Sequence, residues 1–230
     1  RNTACKPRTG CWIPALAALQ GRASPDPATV EELMIDSSRF LVSSSDYDAW
    51  LAVRASGVTA TAVSKAVTPE GFREVVDQMR NPTPIPDNDY MRFGREQEAA
   101  LMEKLGTQFE LEPNDWLIAK DSEALRWQMA TPDGLSPGHE LIAEVKTTGR
   151  DWGEWRNVPG NYHRQVQWQL YVTGANACVF GWMLREKKNG EMVPGWPGPK
   201  FVVVERDDAL IERLIEVAGN LYRELPVAGS

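Results

Sequence analysis

Residues 131–148 read TPDGLSPGHELIAEVKTT, and they carry the acidic and basic side chains on which the fold assignment depends. Successive side chains of an extended strand point to opposite faces, so Glu144 and Lys146 share one face of the strand. Asp133 precedes a glycine turn, and pairing of the two segments as a hairpin would bring its carboxylate beside that face. The pattern predicts a divalent-cation site with a lysine that orients or deprotonates water or stabilises phosphate charge. A solvated surface hairpin is the alternative.

A further carboxylate signal lies in residues 90–105, YMRFGREQEAALMEKL, which have helical periodicity. The apolar stripe of this helix contains Met91, Leu101, Met102 and Leu105, and Glu98 falls on it. A buried carboxylate is costly unless a cation or a hydrogen-bond network compensates it, which favours Glu98 as a metal ligand. The alternative is a glutamate at the margin of the stripe that points outward to solvent.

Residues 161–174, NYHRQVQWQLYVTG, predict a helix in which Gln165 and Gln169 lie one turn apart. Amide side chains can hydrogen-bond phosphate, a metal-bound water or a base without adding charge. Ordinary packing with exposed amides is the alternative interpretation of the same spacing.

The rest of the chain alternates predicted helices and strands. Helical spacing begins at Tyr47, residues 57–67 predict a turn leading into another helix, and the closing helix follows an Asp207 or Asp208 cap. Extended segments are predicted near residues 115–120, 125–131, 140–148, 177–184 and 200–205. The order is therefore helix, three strands, helix, strands, helix.

The composition restricts the classes of protein that fit the chain. The 230 residues are 42% hydrophobic, carry a formal net charge of -7 and contain no apolar run near the ~20 residues of a membrane span. This acidity argues against a protein that coats nucleic acid, although it leaves room for a local basic channel. With 3 cysteines and 2 histidines, no cysteine or histidine metal cluster is expected, and oxygen ligands for Mg²⁺ or Mn²⁺ are favoured. The cysteine usage favours a reducing compartment, which predicts a cytoplasmic location.

The succession GREQE, TPDG, AEVK, YHRQVQWQLYVTG and VVVERDD resembles the YqaJ-type viral recombinase exonucleases, the family of the phage lambda exonuclease. These belong to the PD-(D/E)XK nuclease superfamily. The resemblance runs from about Trp50 to the closing helix. It implies an α/β (α+β) fold with a restriction-endonuclease-like core, in which helices flank a central mixed β-sheet. Residues 1–45 are then predicted to be an N-terminal extension, and residues 46–230 the exonuclease domain.

The resemblance also implies roles for individual residues. It implies metal ligation by the carboxylates of Glu98, Asp133 and Glu144 and the carbonyl of Val145. Lys146 matches the catalytic lysine, and Gln165 matches the active-site glutamine. The residues that match the pocket for a 5'-terminal phosphate are Arg54, Thr61 and Thr131, with threonine where the family has serine. We expect two Mg²⁺ ions, replaceable by Mn²⁺: one between Asp133 and Glu144 for water activation, the other near Glu98 and Asp133 for the leaving oxygen.

The family further implies 5'-to-3' digestion of double-stranded DNA ends, which leaves 3' single-stranded tails for an annealing partner protein. Relatives form rings around DNA, which would combine an acidic exterior with a basic channel. A same-superfamily endonuclease or RecB-like repair nuclease is one alternative. A non-catalytic module that binds DNA ends or recruits a partner is the other.

Residues 146–165 are the segment of the chain with the strongest expectation of DNA contact. The side chains that motivate this expectation are Arg150, Trp152, Trp155, Arg156, His163 and Arg164. A solvated charged loop is the alternative.

Overall fold

The computed structural model of the chain describes residues 35–83 and 86–225. Within these residues the helices are α1 (Tyr47–Ala55), α2 (Ala60–Lys65), α3 (Pro69–Arg80), α4 (Asp89–Phe109), α5 (Gly160–Thr173) and α6 (Asp208–Arg223). The strands are β1 (Phe40–Ser43), β2 (Val58–Thr59), β3 (Glu112–Pro113), β4 (Trp116–Ala119), β5 (Gln128–Ala130), β6 (Gly134–Leu135), β7 (Leu141–Thr148), β8 (Ala177–Lys188), β9 (Glu191–Pro194) and β10 (Lys200–Glu205). Most of the expected N-terminal extension lies outside the described residues, and its boundary at residue 45 stays a prediction.

The strands form two sheets, and the larger one carries the motif in residues 131–148. Its order is β10-β8-β7-β6-β3, with β9 paired to β8, and the smaller sheet has the order β1-β4-β5-β2. Strands β7 and β8 are parallel, whereas β6 and β10 pair antiparallel with their neighbours. The predicted mixed sheet flanked by helices is therefore confirmed.

Strand β7 is an interior strand with both faces covered. Its residues Ile142, Ala143, Glu144 and Val145 are all buried. The alternative interpretation, a solvated surface hairpin, is wrong, because β7 lies between two strands with helices on both sides and Glu144 is buried.

Helices α4 and α5 cover the two faces of β7. On one face, Ala143 and Val145 pack in a cluster with residues of α4, namely Leu101, Met102 and Leu105. On the other face, Ile142 packs with Val166 and Leu170 of α5. Because side chains alternate along a strand, Glu144 and Lys146 share the face of Ile142 and point towards α5.

The ends of the helices follow from local capping. The Asn88 side chain accepts a hydrogen bond from the amide of Met91 at the start of α4, and Asp207 accepts one from Leu210 at the start of α6. Helix α5 ends at Gly174, whose φ of 86° lies in the left-handed region that suits glycine. None of the helices in the described ranges is long and apolar enough to cross a membrane.

Candidate active site

The β6–β7 hairpin places Asp133 directly beside β7. The amide of Asp133 donates to the carbonyl of Ala143 at 2.9 Å, and the amide of Val145 donates to Asp133 Oδ2 at 2.6 Å. The pairing expected between the TPDG and AEVKTT segments is therefore present. It fixes the Asp133 carboxylate next to the backbone that carries Glu144.

Both oxygens of the Glu144 carboxylate are held by amides from α5. Gln165 Nε2 donates to Glu144 Oε1 at 2.6 Å, and Gln169 Nε2 donates to Oε2 at 2.7 Å. Gln169 Nε2 also lies 3.3 Å from the carbonyl of Thr131. Glu144 is only 1% exposed, so these bonds replace the water that the carboxylate would otherwise bind. The one-turn spacing predicts that both glutamines lie on the same side of α5, but only Gln165 is among the site residues expected from the sequence.

Lys146 completes the contacts of Glu144. Its ammonium donates to Glu144 Oε1 and, at 3.0 Å, to the carbonyl of Val145. It also lies 5.9 Å from the centre of the Tyr162 ring. Burial lowers the pKa of Lys146, but the carboxylates of Glu144 and Asp133 outweigh this effect, so its pKa is raised. Lys146 is therefore a cation at neutral pH.

Burial and two neighbouring carboxylates make ionisation of Asp133 unfavourable. Burial is the largest cause that raises the pKa of Asp133, and the charges of Glu144 and Glu98 raise it further. Lys146 and the bond from the Val145 amide act in the opposite direction without cancelling the shift. Additional positive charge at this position would relieve the repulsion.

Glu98 lies on the wall of a cavity of about 410 Å³, which we call the first cavity. Its lining includes Met91, Arg95, Glu98, Val145, Lys146 and Tyr162. Glu98 lies on the same side of α4 as the buried residues of this helix, as expected. Its side chain is nevertheless exposed, because it faces the first cavity. The surrounding protein still desolvates the carboxylate in part, which raises the pKa of Glu98.

The oxygen donors at this site fit a divalent cation. Among residues 35–83 and 86–225, no group of three or more His, Cys, Asp or Glu side chains converges closely enough to hold a metal ion. Asp133 and Glu144 do converge, and the carbonyl of Val145 beside them already accepts a hydrogen bond from the Lys146 ammonium. Carboxylate and carbonyl oxygens are the ligands that Mg²⁺ and Mn²⁺ prefer.

Arg54 and Thr61 face a second cavity of about 510 Å³. The residues that line it include Leu51, Arg54, Thr59, Thr61, Lys65 and Gln78. The Arg54 guanidinium stacks 4.2 Å from the centre of the Trp50 ring, and burial lowers the pKa of Arg54. Arginine nevertheless stays charged in proteins, so this cavity has a cation on its wall.

Thr131 does not line the second cavity. Parallel pairing of β2 and β5 aligns Thr59 with Met129. Thr61 and Thr131 therefore both lie just beyond the carboxyl-terminal ends of these strands, at the same edge of the smaller sheet. The Thr131 hydroxyl is buried and has no hydrogen-bond partner within the described part of the chain. The structure thus brings Arg54 and Thr61 together and places Thr131 nearer to Gln169 and Glu144.

Residues 146–165 are less available for DNA contact than expected. Trp152 is 7% exposed and packs in the core with Phe180 and Trp182, so its predicted contact is wrong. The His163 ring stacks on Trp155 at 3.9 Å. Arg164 donates to the carbonyl of Ser64 at 2.7 Å. The exposed cations of the segment are Arg150 and Arg156.

Gln169→Leu tests whether the buried carboxylate depends on its amide partners. The substitution leaves Glu144 Oε2 without the donor it has in the structure. We expect a loss of about 1–3 kcal/mol in the free energy of unfolding, measured by urea denaturation. The matched control is Gln78→Leu, an exposed glutamine, with an expected change of about 0.5 kcal/mol or less. Equal losses in the two variants would contradict the assignment.

The family model for the YqaJ-like viral recombinase domain matches residues 49–176. The crystal structure of an alkaline exonuclease from Laribacter hongkongensis is 23% identical, with a TM-score of 0.59, and the match covers 77% of this chain and 92% of that one. A phage-related exonuclease from Haemophilus somnus 129PT is 13% identical, with a TM-score of 0.57 and coverage of 74% and 93%. Both structures share the fold. No curated protein is a significant match.

Proposed function

This chain belongs to the YqaJ-like viral recombinase domain family, and from that premise we propose that it is a deoxyribonuclease that digests double-stranded DNA from its ends. The direction is 5' to 3', and the product carries a 3' single-stranded tail. The observation that carries this proposal is the convergence of Asp133, Glu144 and Lys146 beside the open first cavity. The similar solved structures are named as exonucleases, which also supports the proposal.

Hydrolysis of a phosphodiester requires an activated water, neutralisation of phosphoryl charge and stabilisation of the leaving oxygen. We assign one Mg²⁺ site to Asp133, Glu144 and the Val145 carbonyl, and a second to Glu98 and Asp133, with Mn²⁺ as a substitute. When bound, the cations supply water activation and charge neutralisation. Lys146 lines the cavity as a fixed cation that can stabilise a phosphoryl oxygen or orient the attacking water. Gln165 holds Glu144 in place.

The test is digestion of a linear duplex that is 5'-phosphorylated on one strand only, with Mg²⁺ or with chelator. The proposal predicts metal-dependent release of nucleotides from the phosphorylated strand, while a covalently closed circle stays intact. Cleavage of the circle would instead identify an endonuclease or a repair nuclease. Binding to ends without release of nucleotides would identify a non-catalytic end-binding module.

Arg54 and Thr61 are proposed to hold the 5'-terminal phosphate in the second cavity, whereas Thr131, the third residue that the resemblance implies, does not line this cavity. Arg54→Ala is expected to reduce the ratio of kcat/KM between phosphorylated and unphosphorylated ends about tenfold, because a charge-assisted contact to phosphate is lost. Arg73→Ala removes an exposed arginine that pairs with Glu70, and it should leave the ratio unchanged. Equal use of both ends by the wild type would exclude a phosphate pocket.

We further propose that the 3' tail is passed to a single-strand annealing protein and that copies of the chain assemble as a ring around the duplex. A ring would reconcile the formal net charge of -7 with binding of an anionic duplex, because basic groups would be concentrated in its channel. The proposed setting is the cytoplasm, the bacterial host cytoplasm in the case of a phage-encoded protein.

A further inference from the structure

Helix α1 presents an aromatic and basic face next to the second cavity. Tyr47, Trp50, Leu51 and Arg54 lie at helical spacings of three and four, so they share one side of the helix. Tyr47 is 62% exposed and Leu51 is 44% exposed. The rings of Tyr47 and Trp50 stack with their centres 6.0 Å apart and an angle of 23° between their planes. The Tyr47 ring is therefore open to solvent, and the half-buried Trp50 ring supports it.

The aromatic pair extends directly to the cavity assigned to the terminal phosphate. The guanidinium of Arg54 stacks on Trp50, and Leu51 and Arg54 line the second cavity together with Thr61. The surface thus places an apolar ring stack beside a cation and a hydroxyl.

We propose that the exposed ring of Tyr47, supported from behind by Trp50, forms a stacking subsite for an unpaired nucleobase at the 5' end of the digested strand. A DNA strand carries anionic phosphates next to flat bases, and this face carries the Arg54 guanidinium next to stacked aromatic rings, so charge and shape both match. Stacking on an aromatic ring tolerates any base, which suits an enzyme that proceeds along a strand. The subsite deepens the proposed function and rests on it, because the terminal phosphate sets which base reaches the rings.

The probe is a 5'-phosphorylated duplex with 2-aminopurine as its 5'-terminal base, added in chelator so that no cleavage occurs. Wild-type protein is expected to quench the fluorescence of 2-aminopurine through stacking. Tyr47→Ala should abolish most of the quenching and weaken binding about tenfold. Tyr47→Phe keeps the ring and should retain both. Trp196→Ala removes an 84% exposed tryptophan in the segment between β9 and β10 and is the matched control.

Quenching and affinity that are unchanged in Tyr47→Ala, or equally reduced in Trp196→Ala, would overturn the subsite. The melting temperature of each variant shows that the fold is retained, as the exposure of Tyr47 leads us to expect. Quenching that depends on Tyr47 in a protein that releases no nucleotides would support the subsite and refute the nuclease. A Tyr47→Ala variant that digests DNA at the normal rate and still quenches the 2-aminopurine fluorescence fully would refute the subsite but not the nuclease.

Discussion

Lys146→Ala is expected to lower the rate of DNA cleavage by about 10³-fold, because it removes the fixed cation that lines the first cavity beside Glu144. Affinity for duplex ends should change little, since the contacts assigned to the terminal phosphate lie in the second cavity. Single-turnover digestion at saturating Mg²⁺ measures the rate, and fluorescence anisotropy in chelator measures the affinity.

Lys187→Ala is the matched control for Lys146→Ala. Lys187 is an exposed lysine near the end of β8, outside both cavities, and its removal should leave the rate unchanged. The melting temperature reports whether each variant is folded. A folded Lys146→Ala variant that cleaves at a rate close to that of the wild type would contradict the role of the lysine.

Asp133→Asn is expected to abolish the stabilisation of the protein by Mn²⁺ without destabilising it in chelator. Burial and the charge of Glu144 raise the pKa of Asp133, so the ionised carboxylate is unfavourable in the cation-free fold. Asparagine keeps an acceptor for the amide of Val145 but loses the charge. For the wild type, Mn²⁺ at 100 times its Kd should add about 2.7 kcal/mol of stability, which a thermal melt detects.

Asp77→Asn serves as the control for this experiment, because Asp77 is exposed on α3, remote from the proposed ligands in sequence and outside both cavities. It should retain the rise in melting temperature with Mn²⁺. The same rise in Asp133→Asn would show that the cation binds elsewhere.

The strongly periodic elements of the fold were predictable from the sequence. Helices near residues 90–105 and 161–174 are present as α4 and α5, and the strand predicted at 140–148 is present as β7. Alternation along β7 placed Glu144 and Lys146 on one face, and their direct contact agrees with it. These predictions succeed because burial against two helices imposes a regular pattern on the residues.

Other elements were missed although some carried a local signal. Helix α3 begins with Pro69 after the capping residue Thr68, which is a recognisable helix start. Asn189 and Gly190 both have positive φ, and this dipeptide forms the turn of the β8–β9 hairpin. Strands such as β2 and β6 have only two residues each, too few for any periodic pattern.

The composition of the site could be predicted only in part, because hydrogen-bond partners depend on tertiary packing. The spacing of Gln165 and Gln169 put both on one side of α5, but nothing in it identified Glu144 as their common acceptor. Glu98 lies in the predicted direction, and its exposure reflects a cavity that periodicity does not reveal. Trp152 was expected at the DNA surface but lies in the core. The prediction failed because the sequence around a tryptophan in a loop does not indicate which residues it packs against.

Anomalous diffraction from crystals soaked in Mn²⁺ tests the central claim most directly. The account predicts an anomalous peak within bonding distance of carboxylate oxygens of Asp133 and Glu144 and of the Val145 carbonyl, with the Lys146 ammonium displaced from that carbonyl. The absence of a peak at these oxygens, in crystals soaked in Mn²⁺ at a concentration that supports digestion, would contradict the account.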